Sequence, residues 1–529
     1  MKLSQSVKRQ RKVRKRRMKI ARQKIADRKR RIGRRLRHKA EDRDEPMFRA
    51  RNIQFELADR AHAICYGGIG LMHSLARECG LIDAIDRNVE LLKVHFPYHE
   101  SDHVLNIAYN ALTDGKCLED LEGKRNDEAY LDALGTNRPK SKWKGADPTT
   151  AGDFCRRFKT IEQIEGLQQA IAEARQAVWA RQPDEFFEQA TVDMDGHIVE
   201  TGAECKQGID ISYDGRWSYH PLLLSLAETG EPLRIVNRSG NRPSHEGAAA
   251  ECDAVAAMLR AAGFRNILFR GDTDYSQTKH LDRWDTGGIV FHFGYAAMPN
   301  LEKIADGLGD SKWKRLRRPP RYTVKTQART KPERVKEQII VEREFKNIVL
   351  NSEDVAEFEY RPTACKKTYR MIVVRKNLSV EKGENVLFDD IRYFFYITND
   401  RDLSAANIVF SCNDRCNQEN LIEQLKNGPR AFRAPLDNLY SNWAYMLMAS
   451  LAWTLKAWSA LWLPETGRWK ERRRAEKRKL LRMEFRTFVN TMIRVPCQIV
   501  KTGRRIVYRV LSWNESQPVF WRLAEVLRC

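Results

Sequence analysis

Thr191-Val192-Asp193-Met194-Asp195-Gly196-His197 sets two acidic side chains into a short apolar run. Further along, Ile267-Leu268-Phe269-Arg270-Gly271-Asp272-Thr273-Asp274-Tyr275 does the same. Far downstream, Arg415-Cys416-Asn417-Gln418-Glu419 opens a helical segment ending near Lys426. Taken singly, an Asp where a strand meets a loop is more often a turn former than a ligand. Two buried strands ending in carboxylates, with a third carboxylate on a helix, are what a two-metal phosphodiester-cutting site requires. Two Mg²⁺ ions about 3.5–4 Å apart activate the attacking oxygen and stabilise the leaving one. Mg²⁺ takes hard oxygen ligands and keeps several waters, so three carboxylates suffice. Asp193 and Asp195 are two apart and share one face of a strand. Either could be the first ligand, with the other a supporting acid.

The chain around these runs reads in strand and helix periods. Ala190–Gly196, Gly208–Tyr213 and Trp217–Leu226 read as strands, the last followed by Arg234-Ile235-Val236. A helix follows from about His245 to Ala262, then a strand at Asn266–Gly271, a short helix at Gln277–Trp284 and a strand at Gly288–Phe293. Three strands, a helix, a strand, a helix and a strand is the order of a ribonuclease-H-like core. The acids fall on its first and fourth strands. The expected class is therefore α/β: a ribonuclease-H-like catalytic core interrupted by a mainly β insertion, with an α-helical N-terminal DNA-binding region and a helical C-terminal region. The insertion includes strand-like runs at Gln338–Glu344, Tyr369–Arg375 and Arg392–Thr398.

Expected boundaries are 1–45 for a basic tail, 46–185 for a helical DNA-binding domain and 186–298 for the first part of the core. The insertion takes 299–408, the helix with the third acid 409–465, and a basic C-terminal region 466–529. Residues 1–40 carry 20 Lys and Arg against the single acid Asp27, which is +19 of the chain's net +24. Such a block suits a polyanion, and without large apolar anchors it suits nucleic acid better than a membrane. Arg14, Lys15, Arg16 and Arg17 stand at its densest point. Pro148 to Phe158 reads as a capped helix start presenting Arg156 and Arg157, suited to a helix-turn-helix or to a plain bundle. In the insertion, Trp313 lies beside Lys314, Arg315, Arg317 and Arg318, a candidate surface for a flipped base. Asn442 to Leu463 is apolar enough to raise a membrane question, but Asn442 and Lys456 within it favour a buried helix. The 11 cysteines include no CxxC pair, which argues for reduced thiols in a cytosolic protein. No P-loop and no HExxH is present.

Cys412, Arg415, Glu419, Ile422, Glu423 and Lys426 recur at three- and four-residue intervals and so share a helix face. Arg415, Glu419 and Lys426 match the signature Y-x2-R-x3-E-x6-K, with Cys412 in the tyrosine position. Asp195-Gly196-His197 and Asp272-Thr273-Asp274-Tyr275 match the two aspartate motifs of the same class. On these residues, with Tyr219-His220-Pro221-Leu222-Leu223 and Asn237-Arg238-Ser239-Gly240-Asn241, the chain resembles bacterial insertion-sequence DDE transposases, specifically the insertion-sequence family numbered 1380. The resemblance implies metal and catalytic residues Asp195, Asp272 and Glu419, with Asp193 the alternative to Asp195. It implies two Mg²⁺ ions, for which Mn²⁺ substitutes, and phosphate contacts from Arg415 and Lys426. It also implies double-stranded DNA, both transposon ends and target, as substrate, a homodimer in the DNA complex, no membrane, and a cytoplasmic, nucleoid-associated location. A non-catalytic DNA-binding protein and a ribonuclease-H-like nuclease are the alternatives on the same fold.

Overall fold

The computed structural model describes residues 23, 26, 27, 29, 30, 62–95, 98–135, 145–318, 346–382, 385–501, 505–511 and 514–528. The tail residues Arg14, Lys15, Arg16 and Arg17 and the strand-like run Gln338–Glu344 lie outside them. Every element from Ala63 onward belongs to the unit Ala61–Cys529.

The first part is helical because its apolar residues recur at helical spacing and its helix starts are capped. α1 (Ile69–Glu78) and α2 (Leu81–Asn88) turn into one another at Gly80, whose φ of +73° is strained for any residue with a Cβ. α3 (Glu100–Leu112) begins where Asp102 accepts the His99 N–H. α4 (Pro148–Cys155) starts with Asp147 accepting the Thr150 N–H and proline in the first turn, where no N–H is needed. α5 (Ile161–Trp179) opens on a reciprocal Thr160–Gln163 cap.

A mixed sheet then forms. β1 (Gln189–Gly196) pairs antiparallel with β2 (Leu222–Leu226), which pairs antiparallel with β3 (Glu231–Val236). After α6 (Ala248–Ala261), β4 (Asn266–Gly271) lies parallel to β1. After α7 (Thr278–Thr286), β5 (Ile289–Tyr295) lies parallel to β4. The spatial order is thus 3-2-1-4-5, built from the chain order that marked the ribonuclease-H-like core in the sequence. One strand differs. Gly208–Tyr213 is not the second core strand: Asp210–Ile211 joins Val199–Glu200 and Trp217–Tyr219 in a small separate sheet. Pro221 splits the run Trp217–Leu226 because it has no N–H to give to a ladder. Residues after it therefore start a new strand, and β2 is Leu222–Leu226.

The residues beyond Ala297 continue the same sheet. β6 (Lys314–Arg315), β7 (Lys346–Tyr360), β8 (Tyr369–Lys382) and β9 (Asn385–Thr398) form an antiparallel set. β9 pairs with β5 from Phe395↔Tyr295 to Thr398↔His292, giving nine strands in the order 6-7-8-9-5-4-1-2-3. α8 (Ala405–Asp414) and α9 (Cys416–Asn427) then return to the core face, and α10 (Leu439–Leu461) runs through the middle of the molecule. α10 packs on α3, α5 and β3 and is buried on all sides, which is why it reads as uniformly apolar. Lys456 within it donates to the Leu481 carbonyl at 2.7 Å and lies 3.8 Å from the Trp453 ring centroid. Burial lowers its pKa to about 7. No described helix is long and apolar enough to cross a membrane.

Candidate functional site

β1 and β4 are adjacent and parallel, so their C-terminal ends open on the same edge of the sheet. Asp195 sits at the end of β1. Asp272 follows Gly271, the last residue of β4, and its Oδ1 accepts the Asp274 N–H at 2.9 Å, starting a single turn at Thr273–Tyr275. Gly271 is required there: a Cβ would come within 2.6 Å of Tyr275 Cβ and 3.2 Å of Met194 Cγ. The third acid arrives on a broken helix. Arg415 ends α8 and begins α9, and its Nη1 donates to Asp195 Oδ2 at 3.0 Å. Glu419, one turn on, is exposed.

The electrostatics tie these groups together. Burial pushes the Asp195 carboxyl up to about 6; Arg415 pulls it down, while the charges of Asp272 and Glu419 push it up. Asp272 is raised as well, mainly by burial, with the Asp274 N–H and Arg415 opposing. Carboxyls raised in this way by burial are stabilised in their charged form by a cation placed beside them. As they stand, no three His, Cys, Asp or Glu side chains among the described residues converge on one point suited to a metal ion. Arg415 instead pairs with Asp195 through Oδ2 at 3.0 Å. The donor chemistry fits Mg²⁺, three hard carboxylates, and Gln418 Oε1 beside Glu419 is buried with no hydrogen-bond partner, an acceptor suited to a bound water.

Asp193 is placed differently. It is 1% exposed, and both its oxygens are taken by one guanidinium: Arg270 Nε donates to Oδ1 at 2.6 Å and Nη2 to Oδ2 at 2.8 Å. Arg270 is its register partner on β4. Burial raises the Asp193 carboxyl and Arg270 opposes that rise.

The other sequence candidates are scattered. The shared face proposed for Cys412 through Lys426 is interrupted at Arg415. Cys412 is buried in an apolar cluster with Val355, Ile372 and Val374, against the strands of the extension rather than the acids. Lys426 is exposed and close enough for its charge to lower His197, which burial takes to about 4. It lines a groove of about 600 Å³ with Lys116, Phe432 and Arg433. Arg156 pairs with Asp153 and Asp437, each at 3.0 Å, and exposed Arg157 reaches the Leu91 carbonyl. Trp313 is half-buried, with the Arg375 guanidinium 4.3 Å from its ring centroid, so one ring face is already covered. Lys314 and Arg315 form the edge strand, Arg317 is exposed, and Arg318 makes a two-point pair with Glu353 at 2.6 and 2.9 Å.

Two site residues escaped the sequence reading, Arg270 and Gln418. Arg270 had a signal: an arginine inside Ile267-Leu268-Phe269 on a buried strand needs a buried acid, and Asp193 is the acid on the neighbouring strand. Gln418 had none, since a polar residue beside Glu419 reads as surface.

A family model described as Transposase DDE domain group 1 matches residues 50–529. No curated protein matches. Among solved structures, a similar chain is that described as the cryo-EM structure of piggyBac transposase synaptic complex with hairpin DNA. The identity is 7% and the TM-score 0.35, over 82% of this chain and 84% of that one.

Proposed function

The chain belongs to the DDE transposase group 1 family, and on that premise we propose that it cleaves DNA at the terminal inverted repeats of an insertion sequence and joins the 3′-hydroxyl ends to target DNA. The observation that carries this reading is the 3.0 Å contact between Arg415 and Asp195. It brings the helix motif, from far down the chain, onto the strand that bears the first acid. The catalytic set is then Asp195, Asp272 and Glu419, and Asp193, with both oxygens held by Arg270, drops out as a ligand.

Two Mg²⁺ ions, or Mn²⁺ in their place, would be held by these three carboxylates and, when bound, supply activation of a water or 3′-hydroxyl and stabilisation of the leaving oxyanion. The chain's own groups do the rest. Asp195 and Asp272 are held in a partly buried edge that keeps their carboxyls raised and ready to ionise beside a cation. Arg415 neutralises Asp195 meanwhile and lies where it can turn to a phosphate, a two-point partner for a guanidinium. Lys426, exposed on the same helix as Glu419, offers a second phosphate contact. Arg14, Lys15, Arg16 and Arg17 add sequence-independent phosphate binding. The Y-R-E-K spacing supports a reading in that signature branch, with the family numbered 1380, and as a homodimer on DNA in the cytoplasm.

The test is purified protein with end-containing duplex and Mg²⁺ or Mn²⁺. Asp272→Ala and Glu419→Gln should each lower cleavage on the order of 1000-fold, the loss of several kcal/mol of metal-borne stabilisation. Cleavage as fast as in the unchanged protein would sink the assignment. Cleavage without joining to a second duplex would make the protein a nuclease instead.

A further inference from the structure

Asp193 joins the elements that carry Arg415 and Glu419, and its carboxylate oxygens are given to Arg270. Its carboxylate is held by Arg270 at 2.6 and 2.8 Å, and the same guanidinium donates through Nη1 to the Ser411 carbonyl in the last turn of α8 at 3.1 Å. His292 of β5 holds that serine again, with Nδ1 2.8 Å from its hydroxyl. On the other side of Arg415, Gln418 is 2% exposed and gives its amide to two carbonyls at once, Asp193 at 3.0 Å and Leu223 at 2.9 Å. α8 is thus pinned to β1 through the carboxylate of Asp193, and α9 through its carbonyl. Arg415 lies between the two pins and Glu419 immediately follows the second.

Burying a glutamine amide is unfavourable unless it is hydrogen-bonded. Two carbonyls on neighbouring strands fix both the height and the rotation of the helix that presents it. A buried bidentate guanidinium–carboxylate pair is equally directional. We infer that Asp193, with Arg270 and Gln418, is a positioning hub that sets the register of the Glu419 helix against Asp195. This rests on the reading that Asp195, Asp272 and Glu419 hold the metals. The hub acts through those three and touches no reacting atom.

The experiment uses the full chain and measures Mn²⁺ binding without DNA by electron paramagnetic resonance, thermal unfolding, and the Mg²⁺ dependence of cleavage. Asp193→Asn and Arg270→Met should each weaken Mn²⁺ binding about 10- to 100-fold, the usual loss when a group orienting a metal ligand is removed. The double variant should bind Mn²⁺ more tightly and melt higher than either single variant, because neither charge is left buried alone. Gln418→Leu should weaken Mn²⁺ binding about 10-fold and move the Mg²⁺ midpoint for cleavage upward by a similar factor. If the double variant binds no Mn²⁺ while Arg270→Met binds it normally, Asp193 is a ligand and the hub is refuted. Wild-type Mn²⁺ binding and an unmoved Mg²⁺ midpoint in Gln418→Leu would refute the second pin. Should Asp193→Asn fail to fold, the double variant and Gln418→Leu still decide. Asp272→Ala separates the two failures: if it keeps Mn²⁺ binding, the metal-site reading itself is wrong.

Discussion

The two halves of the nine-stranded sheet differ in how they are buried, and the difference explains where chemistry is placed. In the half formed by β1 to β5, residues 267–271, 222–226 and most of 289–295 are buried on both faces. The half formed by β6 to β9 is antiparallel, and several large apolar side chains face solvent: Ile348 at 59%, Ile391 at 54% and Phe394 at 40% exposed. The first half is covered by helices, α6 against β2 and β3, α10 against β3 and α9 against β1, whether its strands run parallel or antiparallel. An uncovered antiparallel sheet, by contrast, can leave one face wet. A carboxylate in the first half is therefore tolerated only with a partner, as at Asp193, or at a strand end where burial lets up, as at Asp195 and Asp272. In the second half charges also pair at the surface, as Arg401 does with Glu359. The acids of the proposed site lie in the first half, where two strand ends leave carboxyls partly desolvated.

Four substitutions press on this contrast. Phe291→Ala, at a fully buried position where the ring stacks on Phe293 at 5.6 Å between centroids, should lower unfolding free energy by about 3–5 kcal/mol. Phe394→Ala in the extension should lower it by less than about 1 kcal/mol. Equal losses in denaturant titrations would erase the difference between the halves. Next in size is Asp195→Asn. The folded carboxyl near 6 lies above its unfolded value, so the fold favours the protonated form. Stability from this group is greatest below about pH 4, declines as pH rises to about 6, and the full penalty is present at pH 7. Removing the charge should therefore stabilise the metal-free protein by about 2–3 kcal/mol at pH 7 and leave it unchanged near pH 4. A stability loss at pH 7, measured with a chelator present, would mean that the Arg415 contact outweighs burial. Smallest is Arg401→Ala. Its pair with Glu359 is exposed on both sides, so solvent screening limits the change to within about 1 kcal/mol.

Much of the core could be read from the chain because its signals are local. The apolar runs at Ala190–Gly196 and Asn266–Gly271 are strands at those bounds or within a residue of them. The helix read at His245–Ala262 lies at Ala248–Ala261. The uniformly apolar segment after Asn442 is a buried helix, and Lys456 is accommodated there by one carbonyl and one ring. What failed was non-local. Gly208–Tyr213 had strand composition but no place in the main sheet, because the chain turns at His220-Pro221 before β2. The interval pattern from Cys412 to Lys426 did mark helix, but not that it is divided into α8 and α9 at Arg415, whose backbone stays in the right-handed helical region. The partner of Arg156 was not legible either: Asp437, distant in sequence, pairs with it at the surface.

The sequence by itself determined the inventory: which strands are apolar enough to be buried, which acids end them, and the spacing of Arg415, Glu419 and Lys426 on a helical stretch. These follow from periodicity and covalent neighbourhood, which are properties of the chain. Only the tertiary structure gives Asp193 and Asp195 different partners. Both stand on one face of one strand, and no local rule distinguishes them. The distinction is made by Arg270 on the next strand, which fills both oxygens of one, and by Arg415 from a remote helix, which reaches the other at the open end of the sheet.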